Sequence, residues 1–190
     1  VQGDGFHRYS RIDMKKELAK ANSEGNRHFS HFGPDANLFD ELEDLFSCYG
    51  KNGAGRRRYY LHNDNDVENC AYEGLQSGEF TPWENLPEGS DLLFYQGMHG
   101  CITTGDTDIA QYVDLKLGIA PIINMEWMQK IDSDTTQRGY SEEAVMDIIL
   151  KRMHDYVHYL IPQFQTTDIN FQLAPVVDTS DPYCTNSVPS

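Results

Sequence analysis

The chain is short of positive charge. Fifteen lysines and arginines stand against 30 aspartates and glutamates in 190 residues, a formal net charge of −15. Such a balance argues against nucleic acid as a general partner, though a small phosphorylated molecule needs only a local cluster of cations. Long apolar runs are missing too: residues 115–128, the most apolar-leaning stretch, contain Lys116, Asn124 and Glu126, so no segment reads as membrane-spanning. No basic stretch followed by an apolar one marks a secretory leader. The four cysteines, Cys48, Cys70, Cys101 and Cys184, form neither a C-x-x-C nor a zinc spacing, which fits unpaired thiols in a reducing cytoplasm. The seven histidines lack ligand-like spacing, which argues against a dedicated zinc site. Repeats and low-complexity tracts are absent, excluding solenoid architectures. No initiator methionine opens the chain and no capping element follows Pro189-Ser190, so an internal piece of a longer protein is expected.

What is present suits one domain with a sizeable core, at 39% hydrophobic content. Leu38, Leu42, Leu45 and Phe46 share one face of a helix expected from about Asn37 to Gly50, a natural residue to follow a helix end. Ser141 reads as the N-cap of a second helix, with Glu142 and Glu143 in its first turn. Its stripe of Val145, Ile148, Ile149, Met153, Tyr156, Val157 and Leu160 is expected to stop before Pro162. Residues 92–95 and 115–123 read as buried strands, and residues 169–173 with Val176-Val177 as a later strand or ribbon. Loops are expected over residues 50–58, 63–89 and 132–139. Strands alternating with helices predict an α/β domain with a mainly parallel sheet flanked by helices.

Three constellations carry possible chemistry. His7, Arg11 and Lys15 are four apart, so a helical turn would stack them beside a loop-to-helix transition, a plausible phosphate pocket. Asp4, just ahead of them, could accept a proton from a bound hydroxyl; a solvated basic helix face with a turn-forming aspartate explains the same spacing. Gln96 closes an apolar stretch at the place where phosphate-transfer enzymes hang a metal-associated acid, but it is an amide. Lys130, Asp134 and Arg138 fall in register on a helix-to-loop stretch that suits either a mobile lid or an ordinary surface loop. The run Gly50-Lys51-Asn52-Gly53-Ala54-Gly55-Arg56-Arg57-Arg58 lacks the Gly-Lys-Ser/Thr ending of a phosphate-cradling loop, and no such ending occurs elsewhere. His62, which follows it, is either a substrate contact or a plain loop histidine.

Several runs resemble bacterial-type phosphoribulokinases: Gly3-Asp4-Gly5-Phe6-His7-Arg8, His31-Phe32-Gly33-Pro34-Asp35-Ala36-Asn37, and Leu93-Phe94-Tyr95 before Gly97-Met98-His99-Gly100. So do Asn124-Met125-Glu126-Trp127, Arg138-Gly139-Tyr140, Thr167-Asp168-Ile169-Asn170-Phe171-Gln172 and Val176-Val177-Asp178-Thr179-Ser180. The resemblance implies a P-loop kinase fold of the nucleoside-monophosphate-kinase kind, ATP with Mg2+, and ribulose 5-phosphate as acceptor in carbon fixation. It makes Asp4 the base, gives His7, Arg11, Lys15 and His62 to the sugar phosphate, and places Lys130, Asp134 and Arg138 in the mobile catalytic region. It implies a homo-oligomer answering to NADH and AMP, with Arg152 at an effector-related position. The resemblance also has gaps. Gln96 stands where an acid is expected at the metal, Ser133 stands where the lid carries an arginine, and the P-loop and the C-terminal portion are not among these residues. Two alternatives therefore stay open: a weakened homologue serving assembly or regulation, and a P-loop kinase with another sugar phosphate or nucleoside as acceptor.

Overall fold

The computed structural model describes residues 1–121, 123–136 and 139–173. Helix α1 (Arg11–Ser23) starts where Ser10 caps it, its hydroxyl oxygen accepting the Asp13 amide at 3.2 Å. Helix α2 (Phe39–Asn52) follows, with Phe39, Leu42, Leu45 and Phe46 buried at helical spacing. It passes through Gly50 and ends at Gly53, whose φ of +71° is the left-handed conformation that closes the last turn on Tyr49. The expected stop at Gly50 is thus three residues early. A glycine within a helix costs only about 1 kcal/mol, and the residue that reverses the chain is the one that ends it.

Two expected loops contain short elements: strand β1 (Arg56–Arg57), helix α3 (Asp64–Asn69) and strand β2 (Glu84–Asn85). β1 and β2 pair antiparallel, and Arg57 Nε reaches Glu84 Oε1 at 2.9 Å. Strand β3 (Leu117–Pro121) leads to helix α4 (Ile123–Thr136), which absorbs most of the loop expected over residues 132–139. Helix α5 (Glu142–Asp155) begins at Ser141 as expected. Beyond it the chain keeps coiling, through a wide turn at Tyr156–Leu160 and a tight one at Ile161–Gln165. Pro162 therefore does not stop the helical path: it lies in the first turn of the tight segment, where its missing N–H has no obligatory acceptor. Strand β4 (Ile169–Leu173) pairs parallel with β3, Leu117 opposite Ile169 and Ile119 opposite Phe171. The Val176-Val177 part of that expectation lies outside the described residues.

The core joins Phe6, Phe39, Leu42, Leu45, Phe46, Leu86, Ile102 and Ile109, with Leu93 and Tyr95 packed against it. Residues 92–95 are not a strand buried on both faces. The backbone nitrogens of Gln96 and Gly3 donate to the carbonyls of Val1 and Gln96, at 3.0 and 2.7 Å, aligning 94–96 parallel to 1–3. Alternation then turns Leu93 and Tyr95 inward and leaves Leu92 and Phe94 79% and 70% exposed. The β3–β4 pair is likewise open on one face, where Leu117, Ile119, Ile169 and Phe171 are exposed. The buried Asp155 carboxylate accepts the Ser30 hydroxyl at 2.8 Å and anchors the end of α5 to the segment before α2.

Leu42 is 1% exposed at the centre of the core. Leu42→Ala in the intact protein is expected to cost about 2–5 kcal/mol, read as a lower urea midpoint at unchanged slope. A cost near zero would place the core elsewhere.

Candidate active site

Asp4 sits in the single tight turn Gly3–Phe6, directly after the backbone pairing with Gln96. The pairing aims its carboxylate into a cavity of about 500 Å³ lined by Tyr59, Tyr60, His62, Asp66, Tyr72 and Gln96 among others. Two imidazoles flank it: His7 Nε2 lies 3.5 Å from Oδ1 and His62 Nε2 lies 3.1 Å from Oδ2. The hydrogen bond from His7, helped by the positive field of both rings, holds the Asp4 carboxyl below its usual range against the opposing pull of burial.

Each partner is placed by a separate device. His7 lies outside α1, in extended backbone beyond the tight turn, and its Nδ1 meets Asn37 Oδ1 at 2.7 Å. His62 is held by its backbone amide on Asp66 Oδ2 at 2.8 Å and by an edge contact with the Tyr60 ring, 4.9 Å between centroids. Its carbonyl accepts Arg11 Nη2 at 2.6 Å and the Ser77 hydroxyl at 3.1 Å. Arg58 donates to the carbonyls of Gly5 and His7 at 2.7 and 2.6 Å, with its guanidinium over Phe80. Gly5 permits that approach, because a side-chain carbon there would collide with the Arg58 carbonyl.

The expected stacking of His7, Arg11 and Lys15 on one helical face is therefore not what forms. The helix begins only at Arg11, so His7 points to Asp4, Arg11 clasps the loop that carries His62, and Lys15 is exposed on α1. Lys130 and Asp134 are one turn apart on α4, 2.6 Å between Nζ and Oδ2, with the carboxylate buried. That pair belongs to a helix rather than a loop, and Arg138 lies outside the described residues. Arg152 packs its guanidinium 5.9 Å from the centre of the Phe32 ring, and burial lowers its pKa. Asn37, Arg58 and Tyr60 were not singled out from the sequence. Asn37 stood inside a recognisable run, but a polar residue ahead of a helix reads as a cap unless its burial is known.

A family model described as the phosphoribulokinase / uridine kinase family matches residues 1–180. The chain belongs to that family. It is 52% identical over all 190 residues to a phosphoribulokinase of Nitrobacter vulgaris and 51% identical to a plasmid-borne one of Cupriavidus necator. It spans 64% of the length of each. Among solved structures, a phosphoribulokinase from Rhodobacter spheroides superposes with a TM-score of 0.85 at 47% identity, covering the whole chain and 65% of that protein. The fold is thus the α/β fold of this kinase family, as the alternation of strands and helices suggested. Among the described residues, no helix is long and apolar enough to cross a membrane.

Magnesium, which such kinases use, prefers carboxylates and phosphate oxygens. The described residues contain no group of three carboxylate, imidazole or thiol side chains able to hold a metal. At the cavity the carboxylates are those of Asp4, already engaged by two imidazoles, of Asp66, which accepts the His62 amide, and of Glu84, which pairs with Arg57, beside the uncharged Gln96 amide. These residues alone do not fit a magnesium site.

Burial dominates at two further histidines. His31 and His99 are each lowered to about 4 by desolvation, and the His99 ring donates to the Phe32 carbonyl at 3.0 Å. The unfolded chain takes up these protons near pH 6.5, whereas the folded one refuses them until about pH 4. Stability should therefore fall as pH drops through that window, each histidine contributing up to about 1.4 kcal/mol per pH unit. Urea midpoints at pH 7, 5.5 and 4.5 are expected to decline less steeply in His99→Gln than in the parent. Identical slopes would show that His99 is protonated in the fold.

Proposed function

We propose that the protein containing this chain is a phosphoribulokinase, transferring the terminal phosphoryl group of ATP to the 1-hydroxyl of ribulose 5-phosphate. The supporting observation is the Asp4 carboxylate, held between His7 and His62 at a cavity wall, in a chain half-identical to phosphoribulokinases.

In this reading Asp4 is ionised at neutral pH and accepts the hydroxyl proton as the sugar oxygen attacks phosphorus and ADP departs. Its depressed pKa makes it a weak base. Proton transfer consequently runs late, when the oxygen has already lost electron density to phosphorus, and orientation matters more than basicity. His7, His62, Arg11 and Lys15 are assigned to the acceptor and its phosphate, with Arg11 acting at least through the His62 loop that it clasps. Lys130, Asp134 and Arg138 are assigned to the moving phosphoryl group, and Arg152 to the response to nucleotide effectors in a homo-oligomer. Asp4→Asn should lower kcat by about 10²–10⁴-fold with little change in KM for the sugar phosphate, measured by ADP release. A near-normal kcat would remove Asp4 from the role.

A second reading, a weakened homologue retained for assembly or regulation, is favoured by the amide at Gln96. If the amide is a handicap, Gln96→Glu should raise kcat roughly 10- to 100-fold, the size of loss typical when such supporting groups are removed. A parent already turning over at about 1–100 s⁻¹, as kinases do, would instead sink the second reading.

A further inference from the structure

Asn37 is among the most buried side chains of the protein, 1% exposed, and each polar atom of its amide has a definite partner. Its Nδ2 donates to two backbone carbonyls, of His31 at 2.8 Å and of Gly33 at 2.7 Å. Carbonyls can only accept, so they fix which end of the amide is nitrogen: a flipped amide would set oxygen against two oxygens. The remaining atom, Oδ1, is therefore an acceptor, and it meets His7 Nδ1 at 2.7 Å. A backbone bridge between His7 and Asn37 aligns the two residues, with Arg8 Nη2 on the Asn37 carbonyl at 3.0 Å.

We infer that Asn37 is a positioning residue that keeps a proton on His7 Nδ1, so that Nε2 is the nitrogen that exchanges a proton with Asp4. This deepens the kinase reading above and rests on it for its catalytic consequence, though not for its geometry. A histidine free in water favours the opposite tautomer, with hydrogen on Nε2, which would here point an N–H at Asp4 and a lone pair at the Asn37 oxygen. The buried amide forbids the second half of that arrangement, since two acceptors facing at 2.7 Å forfeit a hydrogen bond, whereas Nε2 stands 3.5 Å from an Asp4 carboxylate whose side chain is 40% exposed to solvent. Once Nε2 has given up the proton through which it bonds Asp4, Asp4 Oδ1 takes the proton from the attacking hydroxyl and passes it to the freed Nε2 lone pair. That restores the carboxylate and leaves an imidazolium whose Nδ1–H stays on Asn37; solvent takes the proton after the products leave. The neighbouring His31 ring, 6.0 Å from His7 between centroids, stays neutral through its own burial and adds no competing charge.

The test is long-range proton–nitrogen NMR on the ¹⁵N-labelled intact protein at mildly alkaline pH, with the His7 signals assigned by their loss in His7→Gln. The parent is expected to show a protonated Nδ1 and a pyridine-like Nε2; the reverse pattern overturns the proposal whatever the enzyme's activity. Asn37→Leu removes the acceptor and should release the tautomer, lowering kcat by at least about 10-fold while KM for the acceptor changes much less. The ceiling is the roughly 10⁴-fold loss seen when a serine-hydrolase histidine takes the wrong tautomer. Asn37→Asp keeps an acceptor for Nδ1 and should retain the Nδ1–H signature wherever it folds, although its second oxygen faces the His31 and Gly33 carbonyls and costs stability. If Asn37→Leu folds with its Nδ1–H signature and kcat intact, the proposal fails. If neither variant folds, the parent spectrum still decides it. Asp4→Asn without effect on kcat would sink the kinase role of Asp4 but leave the tautomer result standing, so the two failures are distinguishable.

Discussion

The grip of Arg58 on the carbonyls of Gly5 and His7 is the interaction on which the site depends. Residues 3–7 form one short turn, too brief to hold a conformation by themselves, since fixing each residue costs roughly 1–2 kcal/mol of entropy. One guanidinium restrains both carbonyls at the end of that turn, and the Phe80 and Trp83 rings cover its faces. The planar fork matters, because a lysine would offer a point charge without the two parallel donors or the flat face. Phe6, between the two gripped residues, packs on the core, so the turn is tied from both sides. Asp4 inherits its direction from this arrangement and from the backbone pairing of residues 1–3 with 94–96.

The electrostatics of the site run against those of the chain. A molecule with an excess of 15 negative charges gathers His7, His62, Arg11 and Arg58 around one carboxylate or the segments that carry it. The excess charge is solvated and screened over about 8–10 Å at ordinary ionic strength, whereas these contacts span about 3 Å. That separation of scales lets an acidic protein keep a local cluster of cations. Nearby, His31 and His99 are kept neutral by burial. The cations near Asp4 are therefore a few aimed groups, while the cavity wall itself carries the carboxylates of Asp4, Asp66 and Glu84.

The open faces tell a related story about packing. Leu92 and Phe94, and the aligned Leu117, Ile119, Ile169 and Phe171, carry the composition of strands covered on both sides, yet one side of each is exposed. Apolar content reports what a strand can bury, while exposure reports what lies beside it, and only the second depends on the neighbours present. Inside the core the same residue types behave as periodicity demands, most plainly along α2.

How much was legible in the sequence follows from the range of each interaction. Helices α2 and α5, with the Ser141 cap and the acidic first turn of α5, were readable because periodicity and capping act within a few residues. The later strand at Ile169–Leu173 was readable for the same reason, and the expected roles of Asp4, His7 and His62 rested on the resemblance to one family. Errors arose where a local rule had two outcomes. Gly50 or Gly53 could end α2, Pro162 could stop a helix or open a new turn, and residues 132–136 could be loop or helix. What tertiary structure alone decided is the assembly of the site. Spacing set His7, Arg11 and Lys15 on one helical face, but the turn at Gly3–Phe6 keeps His7 off the helix and sends Arg11 to the His62 carbonyl. Asn37 lies 30 residues from the ring it orients and Arg58 lies 51 from the carbonyl it holds. Sequence by itself determined which segments coil and which family they belong to. Contacts across such separations determined which atoms meet, because they depend on how all the intervening elements pack at once.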